Sequence, residues 1–271
     1  ATSVLQGQIR NPFATSWLSN PTFPLYPAAL PIALFGRSIL GLRFLPALIG
    51  AATVPVLFLI SRRLWGFWFA LTAAVFLAGY HLHVHYSRLG MTNIWDPLLA
   101  LLVFGALAQA LSKPDRRHWL LAGAAAGLSA YFYTASHLIL FFLIGLALYL
   151  LFVRRDLLAT QWPHILASSG LALVVALPQI NYYQAHPELF MERANALGIF
   201  QSDWFVQQTA AGQSAAIVLG DQMRRAFLAF NGSLDTSTSY NPGIPLLRTL
   251  PSILFVLGVM LSIWRFRQGR H

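Results

Sequence analysis

From Trp119 to Val153 the chain carries no Asp, Glu, Lys or Arg. That stretch is longer than a single bilayer-spanning helix, which needs about 20 apolar residues. Uncharged runs of the same kind recur along the chain, and the charged residues gather in short clusters between them. Of the 271 residues, 57% are apolar and only 10% are charged, whereas a soluble domain carries about 25% charged residues. A soluble fold of this length would leave much of that apolar surface in water. Lipid removes the penalty, so the chain reads as an all-α, polytopic transmembrane helix bundle.

Seven spans are expected, over 43–61, 65–84, 96–111, 118–134, 136–153, 163–179 and 246–264. The long uncharged stretch is divided at "YTASH", where polar residues cluster. Residues 1–42 read as the remnant of a first external loop, in which 25–36 is apolar but too short to span and so forms an interfacial or re-entrant helix. Residues 180–245 read as a long external connection, with "HPELFMERANAL" as a short surface helix. The whole is expected to be one transmembrane domain. Arg62 and Arg63, then Lys113, Arg116 and Arg117, then Arg154 and Arg155, then Arg265, Arg267 and Arg270 follow alternate spans. By the positive-inside rule these ends face the cytoplasm. This placement also accounts for the net charge of +10 without nucleic acid, because no basic patch sits on a polar domain. Cysteine is absent, which excludes disulfides and thiolate chemistry.

Polar groups beside a membrane are costly, and they concentrate here in "HLHVHYSRLGMTNIWDP". Asp96 before Pro97 is a helix start with Asp as N-cap and Pro as first residue. A carboxylate there can also orient a polar acceptor or bind a metal. His81 and His85 share a helical face at zinc-compatible spacing, yet no further ligand stands nearby in sequence, and His81, His83 and His85 read instead as amphipathic residues at the interface. Arg43 and Arg88 stand at external helix ends, where each either clamps a phosphate or snorkels to headgroups. His83, His85, Asn93 and Tyr133 are candidate rim residues. Tyr131, Tyr133 and His137 read as interface anchors at a hairpin tip. Glu188, Glu192, Asp203, Asp221 and Asp235 read as solvated. "NGS" at Asn231 matches a glycosylation sequon.

Several blocks together resemble one family. "PLYPAALPIALFG", "LGLRFLPALIGAATVPVLFLISRRLWG" and "HVHYSRLGMTNIWDPLLALL" are similar, in that order, to segments of the GT-C glycosyltransferases that use dolichyl- or polyprenyl-phosphate sugars. These include the protein O-mannosyltransferases and the lipid A aminoarabinose transferase. "NPFATSWLSNP" resembles bacterial members. The likeness is good over 1–155 and weaker through "YYQAHPELFMERA" to "NPGIPLLRTLPSILFVLG". It implies a polyprenyl-phosphate sugar donor entering from the bilayer, a lipid, glycan or protein acceptor, inverting transfer, and a divalent cation, Mg or Mn, as candidate cofactor. It further implies an active site on the external face of a bacterial inner (plasma) membrane. Asp96 matches the acid that such enzymes place at the start of a later span, and Arg88 matches a donor-phosphate contact more loosely; Arg43 is a second phosphate candidate by residue type and position alone.

The family's base is a carboxylate of the first external loop, and residues 1–42 contain no Asp or Glu. The resemblance places that motif upstream of Ala1. The expectation is therefore a fragment, or a degenerate homologue, that has no turnover by itself, with the family's last spans also outside it. Two other readings stand beside the transferase: a transporter or flippase for a lipid or polar solute, and a non-catalytic membrane subunit. A transporter would place charged groups near the midplane, whereas here they lie at the rim.

Overall fold

The computed structural model describes residues 1–112, 115–234 and 240–267. Lys113, Asp235 and Arg270 lie outside the described residues. Among those described, thirteen α-helices and three short 3-10 turns make up the regular structure, with no strand. The all-α bundle is thus as expected. The described chain falls into two compact units, Ala1–Arg193 and Ala194–His271.

In the first unit, α1 (Thr2–Leu5) and α2 (Leu25–Phe35) precede α3 (Ile39–Trp65), which is capped at its start by the Ser38 hydroxyl. Gly66, at φ 87°, turns the chain into α4 (Phe67–Gly79). The span expected over 65–84 is broken there: α5 (His81–Arg88) continues at 55° to α4. The apolar α4 gives way at Tyr80 to the polar sequence HLHVHYSR, and both halves pack on α3. A 3-10 turn, Thr92–Ile94, leads into α6 (Trp95–Ser112). Then come α7 (Arg116–Ser129), a second 3-10 turn at Thr134–His137, α8 (Leu138–Phe152) and α9 (Arg155–Ala185). The uncharged stretch is indeed divided at the residues YTASH.

Among the described residues, four helices are long and apolar enough to cross a membrane, and the bent pair α4–α5 makes a fifth candidate. Their flanks expose large apolar side chains such as Trp68, Phe141, Phe142 and Leu166, as lipid-facing surfaces do. The segment expected as a fourth span, 118–134, is helical only over α7. At 1.5 Å per residue α7 is about 21 Å long, short of the roughly 30 Å hydrocarbon core. It compensates by packing on both α6 and α9.

The core lies along those contacts. Leu99, Val103, Leu107 and Ala110 form one stripe of α6 and meet Trp119, Ala122 and Ala125 of α7. Gly123 and Gly127, four residues apart, let α7 approach α9 closely: a methyl group at either would strike the α9 backbone at Ser168 or Ala172. The buried Trp119 indole donates to Gln161 Oε1 at 2.9 Å. The pairs 119–161, 123–168 and 127–172 rise together, so α7 and α9 run parallel. On the other side, Gly105 of α6 meets Ile60 of α3, and Arg63 Nη1 donates to Gln109 Oε1 at 2.9 Å, so α3 and α6 run parallel too.

These directions gather one set of ends. Arg62 and Arg63 close α3, Arg116 and Arg117 open α7, and Arg154 and Arg155 stand before and at the start of α9. The opposite end gathers the start of α3, the end of α5, the start of α6, the turn after α7 and the end of α9.

The second unit holds the latter part of α10 (Pro187–Leu197), then α11 (Trp204–Ala210), α12 (Ala215–Leu228) and α13 (Thr249–Arg267). Phe230 stacks on Phe255 of α13 with ring centroids 5.2 Å apart. Asp221 is paired with Arg224 and Arg225, whose hydrogen bonds hold its carboxyl below the usual range. Asp221 is thus ion-paired on its own helix.

Candidate functional site

The site is assembled at the non-basic end of the first unit, and its floor is aromatic. Tyr131 and Phe132, directly after α7, are almost fully buried. Phe13 and Phe23 of the N-terminal segment pack on the Tyr131 ring, with centroids 5.5 and 5.3 Å away. Trp95 packs on Phe132 at 4.7 Å. The Tyr131 hydroxyl donates to the carbonyl of Val175 on α9. Tyr131 is therefore a core residue that joins three segments, not an anchor at a membrane interface.

Asp96 stands on this floor. The helix begins two residues earlier than the Asp-Pro signature implies, at Trp95, so Asp96 is not the N-cap, and Asp96 and Pro97 both lie inside the first turn. Proline is tolerated there because first-turn N–H groups have no intrahelical partner. The Asp96 carboxylate accepts a hydrogen bond from the hydroxyl of Ser136, 2.5 Å away on the second 3-10 turn. Ser136 is buried and Asp96 half-buried; the carboxylate is held from one side, and its other oxygen has no hydrogen-bond partner among the described residues.

The same 3-10 turn holds a second contact. Tyr133, whose carbonyl accepts from the Ser136 N–H at 2.9 Å, receives a hydrogen bond on its hydroxyl from Arg193 Nη2 at 2.7 Å. The Arg193 guanidinium carbon also lies 5.1 Å from the Tyr133 ring centroid, within cation–π range. The residue before it, Glu192, accepts a hydrogen bond from the hydroxyl of Ser19, a buried residue of the N-terminal segment. Glu192 is half-buried, and the expectation that it is solvated is corrected. Its partner lies 173 residues away in the chain, which is why α10 alone does not reveal it.

The remaining candidates are distributed around this end. Arg88 and Arg43 are exposed, with no hydrogen-bond or ion-pair partner among the described residues. The backbone at Gly90 lies against Leu42, which brings the segments bearing the two arginines together at the start of α3. Asn93 lies in the 3-10 turn before Asp96, its Oδ1 buried without a hydrogen-bond partner. His83 is buried, and its Nε2 donates to the carbonyl of Gly50 on α3 at 3.0 Å; that ring holds α5 against α3. His85 is half-buried in the last turn of α5, with Tyr86 packed on it at 5.4 Å. Among the described residues no group of three or more His, Asp or Glu side chains is placed to hold a metal ion.

Long apolar helices around a single hydrogen-bonded polar end define a polytopic integral membrane protein with one candidate site in its first unit. The chain belongs to the dolichyl-phosphate-mannose-protein mannosyltransferase family, whose model matches residues 19–182, more than half of its length. It is a membrane glycosyltransferase of the GT-C type. No curated protein and no solved structure matches it.

Proposed function

We propose that the chain moves a sugar from a polyprenyl-phosphate donor to a lipid, glycan or protein acceptor, with inversion, at the external face of a bacterial inner membrane. The observation that carries this reading is Asp96, a half-buried carboxylate held by Ser136 at the end of the unit opposite the arginine-flanked ends. Arg62, Arg63, Arg116, Arg117, Arg154 and Arg155 lie on the side that the positive-inside rule assigns to the cytoplasm, so Asp96 faces out.

In this reading Arg88 and Arg43, exposed and without a partner among the described residues, meet the donor's phosphate, to which a guanidinium offers paired donors. Asp96 accepts a hydrogen bond from the acceptor hydroxyl and orients it toward the anomeric carbon. The Ser136 bond fixes the carboxylate's rotamer, which is what keeps the acceptor in line. The acceptor oxygen attacks the anomeric carbon as the carbon–oxygen bond to the phosphate breaks and polyprenyl phosphate leaves. A divalent cation, Mg or Mn, would be held by Asp96 and would supply positive charge to offset the negative charge developing on the leaving phosphate.

The test is transfer of a labelled sugar from defined polyprenyl-phosphate donors by membranes containing the full chain. Any labelled acceptor that forms should depend on Asp96. Absence of transfer from every donor, together with movement of lipid or solute across sealed vesicles, would replace the transferase by a transporter.

A further inference from the structure

We infer that the cleft between α7, α8 and α9 seats one acyl chain of an anionic glycerophospholipid, with the lipid's phosphate on Arg116 and Arg155. This site lies at the other end of the first unit from Asp96 and holds whichever reaction Asp96 serves. A cavity and a charge pattern carry it.

The cavity comes from how α8 is held. Its buried residues are Ile139 and Leu150, near its two ends. Between them Leu143, Leu146 and Ala147 stand over a cavity of about 170 Å³. α7 and α9 line the opposite wall with smaller groups, among them Ala122, Ala126 and Ala172. Those two helices are drawn together at Gly123 and Gly127, whereas Gly145 of α8 has nothing within 4 Å of where a Cβ would stand. Ala147 and Ser169, on the lips of the cleft, are exposed. The cleft therefore opens sideways, between helices whose outer faces meet lipid.

Its dimensions suit a lipid tail. Trp119, Leu150 and Leu158 line one end, and Ala126, Leu143 and Ala172 the other. At 1.5 Å per residue the cleft runs about 10 Å along α7 and α8 and about 21 Å along α9. That is about the depth of one leaflet, half of a hydrocarbon core roughly 30 Å thick. A mostly apolar cavity of this size stays dry and admits an apolar guest, as one of about 150 Å³ does. A tail entering from the side is such a guest.

The charge pattern selects the headgroup. Trp119, Leu150 and Leu158 mark the basic end of the cleft. Arg116 stands three residues before Trp119 on α7, and Arg155 three before Leu158 on α9. Residues three apart share a helical face, so each arginine stands one turn beyond the tail site, on the cleft side of its helix. Arg116 is exposed and has no hydrogen-bond or ion-pair partner among the described residues. Arg155 donates through Nε to the Leu151 carbonyl, and its Nη atoms have no partner among the described residues. The nearby acids are engaged elsewhere: Asp156 accepts two bonds from Arg154, and Asp115 caps α7 through the Arg117 N–H. Two guanidinium groups beyond a tail-sized cleft, at the level where headgroups lie, favour a phosphate diester. A zwitterionic headgroup would bring its own cation to them, so an anionic one is preferred.

The test uses the full chain in detergent micelles with a trace of phosphatidylglycerol carrying a photoactivatable diazirine in its acyl chain. Cross-links are mapped by peptide sequencing. Label should concentrate on residues 143–150 and 165–172. Excess unlabelled phosphatidylglycerol should remove it about tenfold better than phosphatidylcholine does. Arg116→Gln combined with Arg155→Gln should lower the label about tenfold, while lysine at both positions should keep it within about twofold. Ser169→Leu narrows the cleft and leaves every charge in place; it should lower the label about fivefold or more. Label spread evenly over the lipid-facing helices, or removed equally by both phospholipids, means ordinary boundary lipid and overturns the site. Stronger removal by polyprenyl phosphate than by phosphatidylglycerol would give the cleft to the sugar donor and overturn it too, as would chain-to-chain cross-links in place of lipid label. If the glutamine variant does not fold, Ser169→Leu decides, and undiminished label there overturns the site. Sugar transfer is not read, so failure of the transferase reading leaves every one of these outcomes as it is.

Discussion

At the basic end of the first unit, exposed charges bond to what lies near them in the chain. Arg154 pairs with Asp156 two residues on, and Arg155 donates to the Leu151 carbonyl four residues back. Arg63, reaching Gln109, is the longer contact there. At the polar end the ionisable groups bond across the fold: Asp96 to Ser136 over 40 residues, Arg193 to Tyr133 over 60, Glu192 to Ser19 over 173. Local pairs at a wet surface contribute little and are interchangeable. Long-range bonds to half-buried groups exist only in the folded unit and tolerate no change of partner. The basic end therefore needs positive charge of any kind, while the polar end needs these particular residues.

The sharpest way to break the contrast is to reverse the sides. A thiol reagent that does not cross membranes should label Ser202→Cys and leave Ser112→Cys untouched, an all-or-none difference. Labelling of both would remove the topological meaning of the arginines. Next in size is Asp96→Asn, which should reduce kcat/KM by about a hundredfold or more, several kcal/mol of transition-state stabilisation being what an acid–base or orienting carboxylate supplies. If transfer is unaffected, Asp96 is only part of a helix start, and the polar end loses its distinction.

A smaller effect should come from the bundle between the two ends. Trp119→Phe removes the donor to Gln161 and leaves a buried amide oxygen unsatisfied, which should cost about 1–3 kcal/mol in a detergent unfolding titration. The loss should appear as reduced stability with kcat unchanged; a loss of kcat at full stability would tie the core to the chemistry. The least effect is expected from Arg154→Lys, which keeps the charge but gives up the paired contact with Asp156. Transfer should stay within about twofold of wild type. A large loss would show that the basic end also depends on specific geometry.

Much of this fold is legible in the sequence. Uncharged runs announced α3, α6, α8 and α9, because a bilayer admits little else. The residues YTASH marked the break between α7 and α8, and the run from His186 announced α10. Asp96 stood out because a carboxylate at the head of an apolar helix needs a reason. What could not be read was pairing. Nothing local to Glu192 or Arg193 points to Ser19 or Tyr133, and a solvated helix face was the natural reading of ERA beside a surface. Tyr131 looked like an anchor because tyrosines favour interfaces; its burial depends on Phe13 and Phe23, more than a hundred residues earlier. The break at Tyr80 was hidden by the continuous apolar composition on its N-terminal side. Gly123 and Gly127 did carry a signal, since small residues four apart on a helix invite another helix, but the partner was not named by it.

That pair of glycines has a consequence for how the protein is made. α7 is too short to cross unaided, opens with two arginines, and offers one flank to α6 and the other, through Gly123 and Gly127, to α9. During synthesis α6 is already available when α7 leaves the ribosome, but Ser168 and Ala172 are not. A nascent chain arrested before α9 must hold two backbone clefts open to lipid, with α7 gripped from one flank only. The settling of α7 in the membrane is therefore tied to a helix translated later, and an arrest sequence placed ahead of α9 would catch the half-built bundle in that state.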